Sequence, residues 1–133
     1  MENILDRFLR YVAVDTQSDP DSESQPSSAK QTVLLKMLKD ELNALGIEAT
    51  LDEYGYVMAT IPSNCGAGIP AVGFIAHVDT APDASGADIR PQIIKDYNGE
   101  DILLNSLTGL SLKVEDFPEL LSYKGQTIIT TDG

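Results

Sequence analysis

Histidine and cysteine each occur once in the 133 residues, as His77 and Cys65, and tryptophan is missing altogether. A single cysteine rules out an internal disulfide. One histidine and one cysteine cannot build a full metal site, so any metal centre here needs carboxylates to complete it. Zinc accepts carboxylate oxygen beside histidine nitrogen, which makes such a site chemically sound. Cationic residues are scarce too: nine Lys and Arg stand against 21 Asp and Glu, for a net charge of −12. That excess repels phosphates and anionic headgroups, and so argues against nucleic acid and membranes as partners. No run approaches the roughly 18 continuous apolar residues of a membrane-spanning helix. The start Met1-Glu2-Asn3-Ile4-Leu5-Asp6-Arg7 lacks the basic lead and apolar stretch of a secretory signal. The expectation is a cytoplasmic protein, without internal repeats or low-complexity tracts.

What is present suits one domain: 42% of residues are hydrophobic, with five Tyr and three Phe. Ile4, Leu5, Phe8, Leu9 and Val12 recur at helical spacing between charged residues, which predicts an amphipathic helix ending near Asp15. Residues 15–26, rich in Asp, Ser, Gln and Pro, read as an exposed loop. A second helix is expected from Ser27 or Ser28, with Ser28 and Gln31 as a capping box. Its apolar face is Val33, Leu34, Met37, Leu38, Leu42 and Leu45, and Gly46 ends it. Residues 47–51 and 56–61 then predict an antiparallel hairpin around the turn 52–55. After a turn region at 63–70, the run 71–76 reads as a strand buried on both faces. Beyond a loop at 80–86, short strands are expected at 89–94, 101–104 and 127–130. A short helix is expected at 114–121, where Pro118 would fall in the middle; a start near Asp116 would instead put Pro118 in the first turn. The order of elements indicates an α/β fold.

The most informative stretch is Gly73-Phe74-Ile75-Ala76-His77-Val78-Asp79-Thr80. Alternation along an extended chain puts His77 and Asp79 on one side and Val78 on the other. The carboxyl end of a strand is where ligands gather in open α/β sheets. A metal-binding histidine usually gives its other ring N–H to a carboxylate, and His-x-Asp supplies both groups locally. On its own the tripeptide also fits a hydrogen-bonded structural histidine. Cys65 lies in a loop, Ser63-Asn64-Cys65-Gly66-Ala67-Gly68, with only His77 available to activate it, and is weak evidence for a thiol nucleophile.

Three collinear segments carry more than the tripeptide does: Phe8-Leu9-Arg10-Tyr11-Val12-Ala13-Val14-Asp15-Thr16-Gln17-Ser18, Gly55-Tyr56-Val57-Met58-Ala59-Thr60-Ile61-Pro62, and Gly73-Phe74-Ile75-Ala76-His77-Val78-Asp79-Thr80-Ala81-Pro82-Asp83. With Asp88-Ile89-Arg90-Pro91 and Tyr97-Asn98-Gly99, they make the chain resemble the M20 family of zinc-dependent exopeptidases, in its tripeptide aminopeptidase branch. The resemblance covers the whole chain. It implies the N-terminal part of a zinc-exopeptidase catalytic domain, with a mixed sheet flanked by helices. Residues 1–133 would be a partial catalytic domain, lacking the rest of that domain and the lid or dimerisation domain.

The resemblance further implies two zinc ions bridged by water, with His77 as a ligand of one metal. Asp79 matches the catalytic aspartate that braces this histidine. The bridging aspartate, the general-base glutamate and the remaining ligands have no counterpart here. Asp132 is not the bridging ligand, and Asp83 and Asp88 match none. Asp79, Asp83, Gly86 and Asp88 have the wrong spacing for a calcium-binding EF-hand. The implied activity is release of the N-terminal residue from tripeptides by a metallo-aminopeptidase, possible as a homo-oligomer, with the fragment itself inactive. Two other readings stay open: a non-catalytic binding domain derived from the family, and another M20 dipeptidase or deacylase. Apolar sheet surface left uncovered is expected to favour self-association.

Overall fold

Asn3 opens the first helix, α1 (Ile4–Val12), in the computed structural model, which describes residues 3–66 and 68–132. Met1, Glu2 and Ala67, named above in the opening segment and the Cys65 loop, lie outside the described residues. The Asn3 side-chain oxygen accepts from the Asp6 backbone N–H at 2.9 Å, and its amide donates back to the Asp6 carboxylate at 2.6 Å. This reciprocal cap satisfies a donor that the helix itself cannot. The predicted apolar stripe forms but stays open: no residue of α1 is buried, and Ile4 is 88% exposed.

The chain divides into two compact units, residues 10–87 and residues 3–9 with 88–132. In the first, α2 (Gln31–Ala44) packs its buried Leu34 and Leu35 against β1 (Ala49–Leu51) and β2 (Val57–Ala59). The helix begins three residues later than expected, and the capping box does not form. Ser28 Oγ accepts instead from the Lys30 N–H at 3.3 Å, and the Gln31 amide donates to Ser27 Oγ at 3.3 Å. Val33 points outward and Leu35 takes its place in the core. Gly46 ends the helix as predicted, at φ +78°. Ile47 N–H reaches back to Leu42 C=O at 3.0 Å and Gly46 N–H to Asn43 C=O at 2.9 Å, the paired bonds of a Schellman cap.

β1 and β2 form the expected antiparallel hairpin, in register Ala49↔Ala59, Thr50↔Met58 and Leu51↔Val57. Asp52 holds the turn. Its carboxylate accepts from the backbone N–H groups of Tyr54 at 3.1 Å and Tyr56 at 2.8 Å, while Gly55 takes φ +88°. A Cβ on Gly55 would stand 3.3 Å from Leu35 Cδ1, so turn and helix core constrain the same position.

The second unit holds β3 (Gln92–Ile94), β4 (Ile102–Asn105), β5 (Leu110–Leu112), a 3-10 helix (Pro118–Tyr123) and β6 (Ile128–Thr130). β3 pairs antiparallel with β6, and β4 with β5. The strand β5 has no counterpart in the sequence reading. Its signal is Asn105, whose side chain accepts from Leu107 and Thr108 N–H, with Gly109 at φ +73° closing the hairpin. Pro118 sits in the first turn, as the start near Asp116 would have it, but the helix is 3-10 and begins at Pro118 itself rather than at 114 or 116. Tyr97, 3% exposed, anchors this unit: its hydroxyl donates to Glu100 C=O at 2.6 Å.

The mixed α and β character matches the expectation. The β structure among the described residues lies in three two-stranded antiparallel ladders. One expectation fails outright. Residues 71–76 form no ladder and are not buried: Val72 is 80% exposed, Phe74 95% and Ile75 101%. A strand buried on both faces needs neighbours on both edges and layers above and below. The described residues supply none of these to 71–76.

Candidate functional site

The exposed run 71–76, which has no regular secondary structure, leads into His77 and Asp79, whose side chains meet. His77 Nδ1 lies 3.0 Å from Asp79 Oδ1. An ionised carboxylate only accepts, so this bond takes the proton on Nδ1 and leaves Nε2 as the ring's acceptor. The pair is open to solvent, with 82% of the His77 side chain and 48% of the Asp79 side chain exposed. The strand expected to bury its base does not pair, so the pair stands on an exposed segment without regular structure.

What fixes this segment is the residue that follows. Thr80 forms a parallel bridge with Gln17, more than sixty positions earlier. Thr80 N–H donates to Thr16 C=O at 3.2 Å, and Ser18 N–H and Ser18 Oγ both donate to Thr80 C=O at 3.0 Å. Thr16 is one of the few buried polar residues, at 3% exposure. The Gln17 side-chain amide spans the loop beyond, donating to Pro82 C=O at 3.0 Å and Ala84 C=O at 2.8 Å. In the sequence, Thr16, Gln17 and Ser18 stand out only through the resemblance. A polar run far from a polar loop carries no signal of contact until the fold joins them.

Asp15 secures the other end of this clamp. Its carboxylate accepts from Gln17 N–H at 3.0 Å and pairs with Lys30 Nζ at 2.7 Å. The Lys30 hydrogen bond, followed by the Gln17 backbone bond, holds the Asp15 carboxyl below its ordinary value of 3.8. Gly86 closes the loop against it. A Cβ there would lie 2.7 Å from Asp15 Oδ1 and 3.3 Å from Thr80 Oγ1, so the position has no room for a side chain.

No three His, Cys, Asp or Glu side chains converge on one point among the described residues. The donor chemistry of His77, with its second nitrogen freed by Asp79, fits one ligand of a metal. It does not by itself fit a complete shell, which for zinc takes four ligands. Asp83 and Asp88 stand on exposed loop, and Asp132 accepts from Arg90 N–H at 3.2 Å, as a backbone anchor. That bond holds the Asp132 carboxyl below 3.8. Cys65 is free and exposed, with its thiol directed to the Asn64 side-chain oxygen. Surface depressions lined by residues 105–113 and by residues 29–36 contain neither His77 nor Asp79, and they are too open to define a site.

No family model matches the chain. Curated proteins do. Peptidase T of Brevibacillus brevis is 56% identical over 131 residues, which is 98% of this chain and 32% of that protein. Peptidase T of Geobacillus sp. strain WCH70 is 53% identical over 131 residues, with the same coverage. Peptidase T of Alkaliphilus oremlandii is 54% identical over 136 residues, covering all of this chain and 33% of that protein. The chain spans about a third of the length of these relatives. Across that third, and over essentially all of its own length, the chain is a homologue of peptidase T.

Proposed function

We propose that this chain is the N-terminal part of a zinc-dependent aminopeptidase that releases the N-terminal residue from tripeptides. The observation that carries the reading is the 3.0 Å contact between His77 Nδ1 and Asp79 Oδ1, in a chain homologous throughout to peptidase T. In this reading Asp79 fixes the tautomer and aim of the imidazole, and His77 Nε2 serves as one ligand of a two-zinc centre. Bound zinc lowers the pKa of its water to about 7 and polarises a carbonyl, which provides a nucleophile and an electrophile at neutral pH. The other ligands and the general base come from outside the described residues.

A cytoplasmic place of action belongs to the same reading. No helix among the described residues is long and apolar enough to cross a membrane. The net charge of −12 is consistent with a small peptide as partner rather than nucleic acid or an anionic membrane. Assembly into a homo-oligomer is a further part of the proposal.

The test is made on the full-length protein that carries this sequence. A tripeptide is to lose its N-terminal residue, a chelator is to abolish the release, and added zinc is to restore it. Release that survives exhaustive chelation removes the metal from the account.

A further inference from the structure

Asp79 can brace His77 only if the backbone that follows it is fixed, because a two-residue spacing alone leaves the carboxylate free to turn away. Two side chains are placed to fix it: Ser18, whose hydroxyl donates to Thr80 C=O, and Gln17, which reaches further along the loop. The Gln17 amide has two hydrogens, and both are used, at 3.0 Å on Pro82 C=O and 2.8 Å on Ala84 C=O. Its backbone lies in the bridge that pins Thr80 from both sides. Its own N–H is held by Asp15, which Lys30 anchors to the start of α2. Neither carbonyl of the loop could be served by a shorter side chain at the same backbone position, and a carboxylate would repel both.

From this geometry we propose that Gln17 is a positioning residue for the histidine: by holding the carbonyls of Pro82 and Ala84 it fixes the 80–86 loop and so keeps Asp79 against His77 Nδ1. The inference rests on the reading of His77 and Asp79 as a functional pair. The coupling runs through covalently adjacent backbone, Asp79 to Thr80, and through direct hydrogen bonds, Thr80 to Thr16 and Ser18, and Gln17 to the loop. Both amide hydrogens of Gln17 end on the loop carbonyls and neither on the imidazole, so its effect appears in the state of the ring.

The single histidine makes that state directly readable. Nitrogen-15 shifts of the imidazole in the 133-residue chain, recorded with the ring neutral, report which nitrogen carries the proton. The wild-type chain is expected to hold the proton on Nδ1. Asp79→Ala is expected to return the ring to the Nε2–H form that free histidine prefers. Gln17→Glu and the uncharged Gln17→Met are expected to shift the ring in the same direction. The Thr80 amide should then exchange about tenfold faster, as for the loss of a supporting hydrogen bond, while the β1–β2 amides keep their protection and report an intact fold.

If both Gln17 variants free the loop but leave the proton on Nδ1, Gln17 is merely structural and the proposal is overturned. If Asp79→Ala itself leaves the proton on Nδ1, the pairing of His77 with Asp79 fails, and with it the reading on which the proposal rests. Should Gln17→Glu lose the β1–β2 protection, Gln17→Met decides alone. Loss of protection in both would show a role in folding rather than in positioning, and would also overturn the proposal.

Discussion

In the proposed reading of His77 as a metal ligand, the ring serves best when its Nδ1 is occupied, so Asp79 should matter through the ring rather than by itself. In the full-length protein, Asp79→Ala is expected to lower zinc affinity or activity by about 10–100-fold, the usual cost of removing a carboxylate that orients a metal-bound histidine. An unchanged affinity by competitive chelator titration would count against the bracing role. Asp15 offers a second test at this scale. Its carboxyl is lowered from 3.8, first by the Lys30 hydrogen bond and then by the Gln17 backbone bond. A group lowered in the fold stabilises it above its unfolded pKa, and that contribution disappears as pH falls through the lowered folded value. Acidification below 3.8 is therefore expected to loosen the clamp on Thr80. Lys30→Met should raise the Asp15 midpoint toward 3.8, read by carboxyl carbon-13 NMR. A midpoint unmoved by that substitution would show that Lys30 is not its main partner.

The helices and turns were the legible part of the chain. Apolar spacing marks α1 and α2, Gly46 marks a left-handed stop, and Asp52 with Gly55 marks a hairpin, because each signal is local and has a local cause. The misreadings at 71–76 and on the face of α2 depend on what lies elsewhere in the fold, whereas the β4–β5 hairpin has a local signal in Asn105 and Gly109. Residues 71–76 carry the composition of a buried strand, yet composition cannot supply the neighbours that bury it. Val33 and Leu35 stand about 200° apart around the helix, so only one of them can share the packed face with Leu34, and the hairpin selects Leu35. The candidate site divides in the same way: His77 and Asp79 were readable two residues apart, whereas the support from Gln17 was not, being a contact across the chain. Two substitutions test this scale. Leu35→Ala should cost about 2–3 kcal/mol, as a leucine truncated in a core. Gly46→Ala should cost about 1 kcal/mol, for a Cβ placed at φ +78°. Both are measured by urea unfolding, and a Leu35→Ala variant as stable as wild type would remove the α2 contact with the hairpin from the core.

At the scale of the molecule, the exposed run 71–76 carries no charge and no proline, while the chain as a whole carries −12. Apolar extended backbone without a partner is a template for pairing, and net charge is what keeps copies apart. Self-association of the 133-residue chain is expected to grow as pH falls toward the pI of about 4.2, and Phe74→Lys should suppress it. Sedimentation velocity checks this, and a monomer under every condition would contradict it. On the proposed reading, the same chain is expected to release no amino acid from tripeptides, since it would contribute one imidazole to a site that needs several ligands. The most direct test of the account is His77→Ala in the full-length protein, with bound zinc and tripeptide hydrolysis measured on the same sample. The account predicts that zinc content falls and that activity drops by more than about 100-fold. Zinc content and hydrolysis both close to wild type would contradict it.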